Sequence, residues 1–77
     1  MAIPLTEIER DQKGRIVDLQ GGYGFINRLE SLGIQKGKII KKTSSHGRRG
    51  PQTVMIGQLK IAVGFGMAQK IMVEVEA

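Results

Sequence analysis

Cysteine is absent from the 77 residues. Disulfides, thiolate metal sites and cysteine nucleophiles are therefore excluded, and a small domain without disulfides fits a reducing compartment, so the expected location is cytoplasmic. Histidine is nearly absent as well. His46 stands alone in a Ser/Gly/Arg loop, where a solvated side chain is expected, and no Ser-His-carboxylate set can be built from the spacing. Tryptophan is missing, and the aromatics are Tyr23, Phe25 and Phe65 alone. No apolar run approaches the roughly 20 residues needed to cross a bilayer. The most apolar stretch, 59–68, carries Lys60 and two glycines. Met1-Ala2-Ile3-Pro4 lacks a basic region followed by an apolar run, so no secretory signal is expected. Catalysis thus finds little support, and neither an enzyme nor a bound cofactor is expected.

What remains is a small, glycine-rich, basic chain. Its 40% hydrophobic content argues for folding rather than disorder. At this length one domain is expected over 1–77, burying roughly 60% of the unfolded surface. Eleven glycines divide it into short pieces, as an all-β domain with tight turns requires. Thr6 and Glu9 have capping-box spacing, which predicts a short helical turn within 4–10. A turn at 12–14 leads to a strand over 15–19. Phe25, Ile26, Leu29 and Leu32 follow a 3.6-residue period, predicting a helix over 24–32, with Gly33 at its carboxyl end and Ile34 packing back. Strands are expected at 38–43, 52–56, 59–63 and 71–75. Gly57-Gln58 forms a two-residue hairpin loop of type II′ between the middle pair. A turn with one helical turn occupies the region of 64–68. About five short strands with one inserted helix cannot form a parallel layered sheet, because the connections are too short for crossover helices. The expected fold is a small antiparallel barrel.

Gly14-Arg15-Ile16-Val17, Gly21-Gly22 and the segment from Arg28 to Gly37, reading R-L-x-x-L-G-I-x-x-G, carry a family resemblance. Gly50-Pro51, Ile56-Gly57, Ala68 and Ile71-Met72-Val73 extend it over about 5–75. The chain resembles the FeoA family. The resemblance implies an SH3-like barrel in the cytoplasm and a link to ferrous iron. It also implies a place beside FeoB, the membrane GTPase that carries that ion, so the chain would be peripheral to the inner membrane through its partner. A similar fold is appended to iron-dependent repressors of the DtxR type, but this chain has no DNA-binding portion. Gly64-Phe65-Gly66-Met67 is uncharged where family members often carry charge, so a partner contact there would differ. Gly22, Leu29, Leu32, Gly33 and Gly37 are read as fold residues. The two leucines are expected to plug one end of the barrel, and Gly33 and Gly37 to take backbone angles that a side chain would strain.

Three further features bear on function. Gly21-Gly22-Tyr23-Gly24 before a helix lacks the lysine and spacing of a phosphate-binding loop and reads as a barrel corner. Glu7, Glu9 and Asp11, or Glu74 and Glu76 with His46, are the candidate ferrous ligands, and neither set is expected to form a specific site. The third feature is basic. Net charge is +5, and Lys36, Lys38, Lys41, Lys42, Arg48 and Arg49 fall in one stretch without an acid. Together with Arg28 they are expected to form a positive patch for an acidic partner surface or anionic headgroups. Nucleic acid is the alternative partner, disfavoured because no aromatic lies within the stretch. Self-association through open strand edges is also expected of such barrels.

Overall fold

The computed structural model describes residues 1–45 and 50–75. Strand β1 (Ala2–Pro4) leads into a 3₁₀ turn (Leu5–Glu7), followed by β2 (Lys13–Leu19) and helix α1 (Tyr23–Ser31). Then come β3 (Ile39–Ser45), β4 (Gln52–Ile56), β5 (Leu59–Val63), the short α2 (Phe65–Ala68) and β6 (Ile71–Val75). All pairings are antiparallel, in the order β1-β6-β2-β3-β4-β5. The fold is all-β and SH3-like, as expected, with six strands rather than about five.

The added strand is β1. Residues 2–4 pair with β6, Ile3 opposite Val73, and this pairing sets the direction in which the chain enters the 3₁₀ turn. Pro4, extended at φ −62° and ψ 148°, caps that turn without a side-chain hydrogen bond. The Thr6–Glu9 capping box therefore does not form. The Glu9 amide instead donates to Gln12 Oε1 at 2.9 Å. The turn expected at 12–14 lies earlier, at Arg10 and Asp11. Asp11 adopts φ 68°, a left-handed angle that aspartate tolerates better than most residues, and its amide donates to the Lys42 carbonyl.

Strands β2 to β6 place alternate residues inward, apart from the bulge in β2. Ile16, Ile40, Val54, Val63, Ile71 and Val73 are buried from five strands, and Leu5, Ile8, Leu19 and Ala68 join them. The β2–β6 register shifts between Ile16 and Asp18, leaving Val17 as an extra residue, 36% exposed. Such a bulge sharpens the bend that wraps the sheet around its core.

Helix α1 covers that core with Leu29, which is fully buried. It ends in a Schellman motif. The Gly33 amide donates to the Glu30 carbonyl and the Ile34 amide to the Leu29 carbonyl, both at 3.0 Å. Gly33 has φ +92° and Gly37 φ +90°, so both use left-handed angles. Gly22 does not. Its φ is −73°, it stands at the helix N-cap, and a side chain there would meet open space. The constrained member of that pair is Gly21, at φ +120° with Phe25 close beside it. Leu32 also departs from expectation. It is 40% exposed and so does not plug the barrel. The backbone leaves the helical path at the cap, and Ile34 takes the buried position instead. At Gly57 φ is +61° while Gln58 keeps a negative φ, the pattern of a type II′ hairpin.

Candidate functional site

The described part of the basic stretch does not fold into one patch. Strand β3 alternates, so Ile40 and Lys42 face the core while Ile39 and Lys41 face outward. Lys42 is 3% exposed, and its Nζ donates to the Thr6 carbonyl at 3.3 Å. Burial lowers its pKa from the ordinary 10.5. Lys42 is therefore a structural residue that ties β3 to the 3₁₀ turn, not a docking residue.

The others scatter. Lys36 sits in the turn before β3, its Nζ 3.9 Å from the Asp18 carboxylate, with both side chains more than half exposed. Such a pair contributes little. Lys38 is exposed just before β3, and its carbonyl accepts from the Ile16 amide. Arg28 is exposed in the last turn of α1, where a cation complements the helix dipole. Arg48 and Arg49 lie outside the described residues, as do His46 and Glu76 of the candidate ferrous ligands. Among the described residues no cluster of three or more carboxylates and histidines could hold a metal ion.

Lys41 keeps different company. It stands opposite Lys13 of β2 on one side and Met55 of β4 on the other, and Met55 stands opposite Lys60 of β5. Opposed residues of an antiparallel sheet point to the same face. One row across the outer face therefore reads Lys13, Lys41, Met55, Lys60. The adjacent row carries Arg15 opposite Ile39. Lys13, Ile39, Lys41, Thr43, Met55 and Gly57 line a groove of about 440 Å³. Its floor is partly apolar, and no acid lines it. Among the described residues, none of Lys13, Arg15, Lys41 and Lys60 forms an ion pair. Sequence reasoning found Lys41 but missed Lys13, Arg15 and Lys60. They lie far from 36–49 in the chain, and only the strand register brings them alongside.

Lys42 yields a test. Its folded-state pKa lies below its unfolded one, so the unfolded chain binds more protons and stability rises with pH up to about 10.5. Lys42→Met keeps the aliphatic stem and removes the desolvated charge. The variant is expected to remain folded, to melt above the parent at neutral pH, and to lose the parent's gain in stability as pH rises toward that value. Thermal melts across pH read this directly. An unchanged pH slope would contradict it.

The strands, bulge and helix cap describe a small SH3-like barrel whose outer sheet face presents a basic groove. Comparison with known proteins places this barrel more closely. The family model "FeoA domain" matches residues 3–75, and the chain belongs to that family. It is 32% identical over 71 residues to "Putative Fe(2+) transport protein A" of Methanocaldococcus jannaschii, covering 92% of this chain and 84% of that one. A crystal structure of an iron uptake regulatory protein, FeoA, superposes with a TM-score of 0.91 at 33% identity, covering 99% of this chain and all of the other. The FeoA-like protein of Clostridium acetobutylicum gives 0.87 at 20% identity over 99% and 88% of the two chains. A manganese-dependent transcriptional repressor gives 0.88 at 18% identity, matching 97% of this chain but only 42% of its own length, and so shares the fold.

Proposed function

We propose that this protein is a non-catalytic accessory factor of ferrous iron uptake, acting on the cytoplasmic side of the FeoB membrane transporter GTPase. The observation that carries the reading is the family match over residues 3–75, nearly the whole chain. Two further features support it. No described helix is long and apolar enough to cross a membrane, which is compatible with a part in transport played through a partner. The outer sheet face carries cations without an ion-pair partner among the described residues, around a partly exposed apolar centre, a surface suited to an acidic protein partner. Ferrous iron in this reading is the transporter's cargo.

The test is retention of the transporter. Affinity-tagged protein incubated with solubilised membranes from cells expressing FeoB is expected to retain it. Elution by moderate salt is expected, because contacts between exposed charges are screened. Retention of nucleic acid in place of the transporter would favour the alternative partner.

A further inference from the structure

Lys13 and Lys41 oppose one another across β2 and β3. Like charges placed directly opposite in a sheet repel, with Cβ atoms only about 5 Å apart. Among the described residues no carboxylate pairs with either lysine, and Lys60 extends the row beyond Met55. Among the described residues, nothing relieves that repulsion. A carboxylate seated between the two ammonium groups would relieve it. Beside them the floor is apolar: Ile39 is 37% exposed, and Met55 is half-buried in the same groove. Methionine adapts its shape to the side chain set against it.

Resting on the accessory reading above, we propose that the outer face of β2, β3 and β4 docks an acidic protein segment in which an aliphatic side chain lies between carboxylates. The aliphatic group covers Ile39 and Met55. One carboxylate bridges Lys13 and Lys41, and a second reaches Lys60. Nucleic acid fits this face less well. It would meet the cations but find no aromatic to stack on among the groove residues, and it would leave the apolar floor uncovered.

The experiment uses the whole isotopically labelled protein and amide chemical shifts. The probe is a short capped peptide bearing leucines flanked by glutamates. Controls are the same peptide with serine for leucine, a single-stranded oligonucleotide, and vesicles containing phosphatidylserine. The leucine peptide is expected to shift the amides of Lys13, Ile39, Lys41 and Met55. It should bind more tightly than the serine peptide, and more weakly as salt rises. The double variant Lys13→Glu with Lys41→Glu keeps a like-charge pair and reverses its sign, so its melting temperature should stay near the parent's. Its affinity for the peptide should fall roughly tenfold or more. Met55→Ser should weaken the leucine peptide and leave the serine peptide unchanged. Equal binding of both peptides, with no effect of Met55→Ser, would overturn the apolar half of the proposal. Shifts at this face from the oligonucleotide or the vesicles but not from the peptide would overturn its choice of occupant. Peptide shifts confined to another face would overturn the site. Because the probe is a peptide, these outcomes are independent of whether the transporter is retained from membranes.

Discussion

Leu29→Ala is expected to destabilise the protein by about 2–5 kcal/mol, the usual cost of emptying a packed leucine site. For a chain of this size that corresponds to a fall in melting temperature of roughly 10 °C or more. Leu29 is fully buried in the main core, and its carbonyl also receives the amide of Ile34 at the helix cap. The side chain thus joins the helix to the core of the sheet. Leu32→Ala, three residues on, is the control. Leu32 is 40% exposed, so its truncation should cost well under half as much. Thermal melts of the two variants read the difference directly. Equal losses would mean that Leu32 supports the fold despite its exposure.

Gly33→Val is expected to cost about 1–3 kcal/mol, the typical penalty for a side-chain-bearing residue held in a left-handed conformation. The cause is the backbone and not crowding. A Cβ at Gly33 would come no nearer than 4.0 Å to the Leu59 side chain. What valine resists is φ +92° itself, because its branched Cβ stiffens the chain and disfavours positive φ. Yielding would break the two cap hydrogen bonds from Gly33 and Ile34 and release Ile34 from the core. Gly33→Asn should cost distinctly less, since asparagine tolerates this region. If valine and asparagine melt alike, backbone strain is not what makes glycine necessary here.

Much of the fold is legible in the sequence alone. The 3.6-residue period through Leu29, the glycine after Leu32 and the alternation through Val54, Leu59 and Ile71 each reflect a local rule, and the helix, its cap and the hairpin obey them. Expectation and structure part where distant pairing outweighs a local signal. Residues 2–4 form a strand because β6 is there to pair with, and the Thr6–Glu9 spacing loses to the cap geometry that Pro4 imposes. Leu32 satisfies the helical period, yet the Schellman turn gives its place to Ile34. The candidate site is less legible. A run of basic residues in sequence suggests a patch, but a strand divides its neighbours between two faces, so Lys41 and Lys42 part company. The groove's other cations arrive through the β2–β3 and β4–β5 registers, which join residues far apart in the chain. The alternation of Ile40 with Lys42 is the one signal that Lys42 faces inward. Two adjacent isoleucines, Ile39 and Ile40, leave its phase ambiguous.

The most direct measurement of the central claim is ferrous iron uptake under anaerobic conditions. Cells that express FeoB would be compared with and without this protein, using radiolabelled ferrous iron at limiting concentration. The account predicts that uptake differs clearly between the two, and that the parent chain, supplied in trans, restores the original rate. Identical uptake in both, with the transporter equally abundant, would contradict it.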